Sequence, residues 1–252
     1  MSRTIDLSAL GMIWKRDLIR LGRDRATITG SLARPILWLL ILGVGMGSTI
    51  SQVGGVSYVE YLFPGIVALN LLFASFLSAI SIIWDREFGF LKEMLVAPIS
   101  RVSIAVGKTA SGATVATLQG GIVLCFVPFV GASVSLQQVL LSVPLMLLIS
   151  FGMTSLGLSI ASRMSSFEGF GTIANFVIMP MFFISGAVFP LDQAPPWLKI
   201  LSRANPMTYA VDLLRGVFLG LNHRPLWIDL AILLGFSLCA LWLAVRAFCR
   251  RL

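Results

Sequence analysis

The sequence predicts an all-α integral membrane protein with six transmembrane helices, and three observations carry that reading. Hydrophobic residues make up 57% of the 252 and charged residues only 12%, about half the charged share of an ordinary soluble domain, so a water-soluble surface cannot be assembled. The charges are clustered, because residues 35–59, 61–84, 109–162, 169–191 and 230–245 contain no Asp, Glu, Lys or Arg. The apolar runs are also continuous. About 20 such residues of helix cross a hydrocarbon core of about 30 Å, whereas a transmembrane barrel needs alternating strands. Lipid offers the backbone no hydrogen-bond partner, so each run must satisfy its own peptide groups as a helix.

Residues 5–25 come first. Leu7, Leu10, Trp14, Leu18 and Leu21 recur at helical spacing beside Lys15, Arg16, Arg20 and Arg23, which predicts an amphipathic helix lying on the headgroups. A basic topogenic tail is the alternative. The spans follow at 34–51, 61–84, 103–127, 138–161, 169–189 and 226–246, in one transmembrane domain covering 1–252. The uncharged stretch 109–162 must hold two passes, divided at Pro128, Gly131, Ser133, Ser135, Gln137 and Gln138, where the side chains favour a turn. Gly112, Ala116 and Gly120 form a small-residue stripe that predicts close helix packing.

Six spans put both termini on one side. Lys and Arg number 7, 4, 1 and 3 in segments 1–34, 85–108, 162–168 and 246–252, against none in 51–60 and 127–138 and four in 190–225. Fifteen against four places the termini in the cytoplasm, and the four exceptions lie in one long external connection, 190–220 and just beyond. That connection predicts two short helices dipping into the outer leaflet. Pro195-Pro196 suits a helix start, and Asn205-Pro206 reads as an N-cap with proline at the first helical position of a helix ending at Gly220. On that second helix Asp212 and Arg215 are three apart and are expected to pair on an exposed face.

Several kinds of chemistry are disfavoured. The net charge of +8 sits at helix ends rather than interleaving with aromatics on a soluble platform, so no nucleic-acid partner is expected. Cys125, Cys239 and Cys249 lack metal-site spacing and His223 stands alone, so neither a metal site nor a catalytic residue is expected. Gly107-Lys108-Thr109 resembles the end of a P-loop, but Val102 replaces the first glycine and no strand precedes it. Lys108 therefore reads as a residue snorkelling at the membrane boundary. Mid-span Asn70, Gln119 and Asn175 suit interhelical hydrogen bonds better than a proton relay, which counts against an ion-coupled carrier.

The turn between the second and third spans, residues 85–98, mixes charged and apolar side chains and ends at Pro98. A short helix there would present Phe88, Leu91, Met94 and Leu95 to a partner, with Glu87, Lys92 and Glu93 setting orientation; a helix resting on lipid headgroups is the alternative. The run Glu93-Met94-Leu95-Val96-Ala97-Pro98-Ile99-Ser100-Arg101 resembles the corresponding loop of ABC-2 type permeases. So do Ser185 through Pro190, Pro196-Trp197-Leu198, Asn205-Pro206-Met207-Thr208-Tyr209 and Asp212-Leu213-Leu214-Arg215-Gly216, in that family's order.

The resemblance implies a half-transporter in the bacterial inner membrane that pairs with a second copy. It also implies a separate nucleotide-binding subunit that holds ATP and Mg, leaving this chain without its own cofactor or catalytic site. Residues 85–98 would be the coupling helix, with Trp14 and Arg16 of the N-terminal helix also near the ATPase. Trp38, Asn70, Asn175, Met179 and Phe183 are the candidate pathway residues, and the external helices would line its outer mouth. The cargo would be amphipathic, lipid-linked or glycan-like, as in relatives that export polysaccharides, lipid-linked oligosaccharides, nodulation factors, antibiotics or sodium. A membrane scaffold that moves nothing is the alternative from a different class.

Overall fold

The computed structural model describes residues 6–47, 49–50, 52–90, 94, 96, 99–126, 134–164 and 166–251. Its helices are α1 (Leu7–Arg23), α2 (Arg25–Gly47), α3 (Tyr58–Ala79), α4 (Ser81–Glu87), α5 (Arg101–Leu124), α6 (Leu136–Ala161), α7 (Phe167–Ile184), α8 (Pro196–Ala204), α9 (Pro206–Leu219) and α10 (Leu226–Arg251). A two-stranded antiparallel hairpin, β1 (Gln52–Val53) and β2 (Val56–Ser57), joins α2 to α3.

Among the described residues, four helical stretches are long and apolar enough to cross a membrane: Tyr58–Glu87, Leu136–Ala161, Phe167–Ile184 and Leu226–Cys249. The first expected span, 34–51, overlaps α2, which ends at Gly47 and whose apolar part is the shorter Ala33–Gly47, and the third, 103–127, overlaps α5, which ends at Leu124; neither is among the four.

The core is built around α3, which is buried almost continuously from Tyr61 to Phe76 and packs on α2, α5, α6 and α9. Small residues allow this crowding. A Cβ on Gly112 would lie 2.6 Å from Cγ2 of Thr154, and one on Gly120 would strike Met146 and Leu71, so the expected stripe is where α5 meets α6 and α3. Gly65 meets backbone as well as a side chain, since its Cβ would lie 2.8 Å from the backbone oxygen of Ala187.

Hydrogen bonds fix the two ends of the bundle. At one end, Arg86 donates to the carbonyls of Met164 (2.7 Å) and Ser162 (3.0 Å), satisfying acceptors left free where α6 stops. Arg101 donates to the carbonyl of Cys249 at 3.1 Å, tying α5 to α10. At the other end, Tyr58 donates to the carbonyl of Val188 at 3.0 Å and Gln138 to that of Phe218 at 3.2 Å. These are called the α1 end and the hairpin end below.

Candidate functional site

At the α1 end, α1 lies along α5. Asp6 caps α1, accepting from the amides of Ser8 and Ala9, while its own amide donates to Ser103 Oγ at 2.8 Å. Ala9 and Ile13 form the buried face, and Ile13 packs over Gly107 of α5. Trp14 Nε1 donates to Thr114 Oγ1 at 3.0 Å. The leucine stripe is only partly used, because Leu7 is exposed while Leu10, Leu18 and Leu21 are half-buried.

Between α1, α4 and α5 sits a knot of four charges. Lys108 Nζ is 2.5 Å from Asp85 Oδ2 and 3.4 Å from Asp17 Oδ2. Arg16 Nη2 is 2.7 Å from Asp17 Oδ1 and 3.2 Å from Asp85 Oδ2. Ser111 Oγ donates to Asp17 at 2.8 Å, and Lys108 reaches Ser81 Oγ at 3.3 Å. Lys108 therefore does not snorkel: its side chain is 1% exposed, held inward by two carboxylates that offset its desolvation. Burial alone would raise the Asp17 carboxyl, but Lys108 and Arg16 overcome it and hold it below the usual carboxylate range. For Arg16, burial works downward, yet Asp17 and Asp85 leave the guanidinium above its ordinary value.

The expected coupling residues that the structure describes differ in where they lie. Glu87 and Phe88 are exposed; Phe88 stacks on Trp84 at 5.4 Å, and Trp84 meets Phe167 edge-on at 4.9 Å. Arg16 also covers the Phe90 ring at 4.5 Å. Met94 is turned into the core at 7% exposure instead of being presented outward, as a member of the apolar cluster of the bundle. Leu91, Lys92, Glu93, Leu95 and Pro98 lie outside the described residues.

The expected pathway residues do not share one surface. Asn70 is buried in α3, with no partner for its Nδ2 among the described residues. Asn175 and Phe183 are exposed on α7 and Met179 is half-buried. Trp38 of α2 packs edge-on against Phe182 and Phe183, at 6.0 and 6.2 Å.

At the hairpin end, Asn205 caps α9 by accepting from Met207 N at 3.0 Å, and its amide group donates to the Met181 carbonyl at 2.6 Å, fastening α9 to α7. Pro206 takes the first helical position and Gly220, at φ 69°, ends the helix in the left-handed conformation. Asp212 and Arg215 do not pair and are not exposed. Arg215 is 3% exposed, lies 3.9 Å over the Tyr61 ring and donates to the Gly186 carbonyl at 3.2 Å. Burial pushes its guanidinium below the ordinary value.

Asp212 instead takes His223, which is therefore not alone. It accepts from the His223 backbone amide at 3.2 Å and faces ring Nδ1 at 3.1 Å, while Nε2 lies 3.4 Å from Asp192 Oδ2. The loop after α9 can pack this close because Gly216 carries no Cβ, which would collide with Asn222. The bond to Asp212 raises the His223 pKa despite partial burial. For Asp212, burial acts upward, but the bonds from His223 prevail and leave the carboxyl below its usual range.

The sequence reading missed the Asp17–Lys108–Asp85 contact and the His223–Asp212 contact. Asp17 as an acid within a basic helix and Lys108 beside the charge-free run 109–162 were the available signals for the first. Nothing local announces the second, since the 11-residue separation is closed by a loop.

Comparison with known proteins adds a family and named relatives. The family model for the ABC-2 type transporter matches residues 8–219. Nodulation protein J of Rhizobium leguminosarum bv. trifolii is 32% identical over 214 residues, covering 82% of this chain and 80% of that protein. Nodulation protein J of Rhizobium meliloti (strain 1021) is 29% identical over 246 residues, 95% of this chain and 92% of that protein. The "Putative transport permease ycf38" of Cyanophora paradoxa is 28% identical over 216 residues, 84% of this chain and 74% of that protein.

Proposed function

The chain belongs to the ABC-2 type transporter family as a transport permease subunit, and from that premise we propose that it is the membrane half of an ATP-driven exporter. Two copies pair, each resting on a separate ATP-binding cassette subunit that carries ATP and Mg. The cargo is an amphipathic, lipid-linked or glycan-like molecule taken from the cytoplasm or the inner leaflet, a class suggested by relatives named for nodulation.

In this reading α2, α3 with α4, α5, α6, α7 and α10 are six crossings of the bacterial inner membrane, with the α1 end in the cytoplasm. The charge count supports that orientation. For α5, the carboxylates around Lys108 offset the cost of an ionised group at the end of a span, and 109–124 is free of charge.

The buried knot joining α1, α4 and α5 carries the mechanism. The ATPase engages the 85–98 turn and α1; its closure on ATP displaces α4, and Asp85 passes that displacement to Lys108 of α5 and Arg16 of α1. Arg86 carries it on to the end of α6. Helices locked in this way move as a body, so the exposed faces of α2 and α7, with Val44, Phe176 and Phe183, open and close against the second copy and the cargo.

The test is transport and ATP hydrolysis by the permease and its ATPase reconstituted together in liposomes. Asp85→Asn, scored on the fraction that remains folded and bound to its ATPase, is expected to keep most ATP hydrolysis while transport per ATP falls about tenfold, as for the loss of about 1.4 kcal/mol of coupling. Unchanged transport per ATP would refute the assignment.

A further inference from the structure

The four Lys and Arg residues of the connection 190–225 are the ones that run against the positive-inside count, and Lys199, Arg203, Arg215 and Arg224 all line one cavity. It has a volume of about 340 Å³ and lies at the hairpin end, between the turn after α7, α8, α9 and the loop carrying His223. The other Lys and Arg residues fall in segments 1–34, 85–108, 162–168 and 246–252. These four come from three different segments and converge.

Their partners leave charge to spare. The acids on the cavity wall, Asp192 and Asp212, both face His223, and Arg224 has Asp229 behind it at 3.9 Å. Among the described residues Lys199, Arg203 and Arg215 have no carboxylate within ion-pair reach; Lys199 donates only to the Asp192 carbonyl, at 2.7 Å. Arg215 is the most telling of the three. It is 3% exposed, its Nε has no hydrogen-bond partner, and it is held by a ring and one carbonyl, neither of which neutralises a guanidinium. Thr208, on the same wall and 4% exposed, likewise has an unpartnered Oγ1.

We propose that this cavity is an anion-binding site that takes a phosphate-bearing group, with Arg215 at its floor, Thr208 on its wall and Lys199 and Arg203 at its mouth. A guanidinium fork and an ammonium give charge-assisted hydrogen bonds to several oxygens at once, and the volume exceeds that of a bare phosphate, leaving room for what it is attached to. The group comes either from a soluble phosphate compound or from a phospholipid headgroup, since both present the same oxygens. The site stands on the cavity alone and goes beyond the transport reading, so it survives even if the chain moves no cargo.

The probes are inorganic phosphate, titrated into the purified full chain in a neutral detergent, and nanodiscs of phosphatidylcholine with or without phosphatidylglycerol. Arg203→Gln and Lys199→Gln sit at the mouth, where folding is least affected, and Arg215→Lys keeps the buried charge but removes the fork. Saturable phosphate binding in detergent identifies a soluble group. Binding seen only as retention of phosphatidylglycerol in nanodiscs identifies a headgroup. In either case each mouth variant is expected to weaken binding about tenfold with an unchanged melting temperature, as for the loss of one charged hydrogen bond. Failure of the folded chain to bind either probe, or binding that Arg203→Gln and Lys199→Gln both leave unchanged, overturns the site.

Discussion

Lys108 shows how much one side chain can hold in place. Together with Arg16 it lets Asp17 of α1 and Asp85 of α4 lie together without repelling. Removing one member of a buried ionic set leaves the others uncompensated, which costs about 3–5 kcal/mol. Lys108→Met is therefore expected to lower the melting temperature sharply, and adding Asp85→Leu should recover most of the loss, because a well-packed apolar pair often matches a buried ion pair. A double variant no more stable than the single one would count against the contact. His223 gives the complementary pH prediction. Its raised pKa means that its contribution is fully present below the unfolded value of about 6.5 and is lost as pH rises through the higher folded value. Asp212 and Asp192 favour the charged ring, and Arg215 opposes it. A melting temperature followed upward from pH 6 should decline in that window, and His223→Gln should flatten the decline.

At the scale of elements, the close approaches set the tolerances. Gly65 meets backbone rather than a movable side chain, so Gly65→Ala must push α3 away from the turn at Ala187. Overpacking of this kind costs about 1–3 kcal/mol, and denaturation in detergent should show it, whereas Gly121→Ala, with open space around it, should be nearly silent. The ends of α9 were legible in the sequence because Asn205, Pro206 and Gly220 act locally, through a cap, a fixed φ and a left-handed turn. The hairpin was legible too and went unread: Gly54 and Gly55, at φ 61° and 85°, stand between Val53 and Val56 as a two-residue turn requires. What could not be read was the pairing of distant side chains. The spacing of Asp212 and Arg215 is right for a helical pair, but Tyr61, Gly186 and His223 arrive from other segments and claim both. The candidate pathway residues lie on separate surfaces for the same reason, since periodicity does not say that α3 is central and α7 peripheral.

For the whole molecule, the charge count and the two-ended bundle together predict sidedness. Cys125 is exposed at the hairpin end of α5, and Cys249 is half-buried near the far end of α10. A membrane-impermeant maleimide added to intact cells should label Cys125 and spare Cys249; the reverse pattern would invert the topology. As proposed, this chain takes its energy from another polypeptide. Purification of the tagged chain from its native membranes in a mild detergent, with ATP hydrolysis assayed and the co-purifying proteins identified, tests this most directly. An ABC-type ATPase should be retained with the permease, and hydrolysis should be lost when that subunit is removed. A folded permease recovered from such membranes with no ATPase attached and no hydrolysis, yet still transporting in liposomes without ATP, would contradict it.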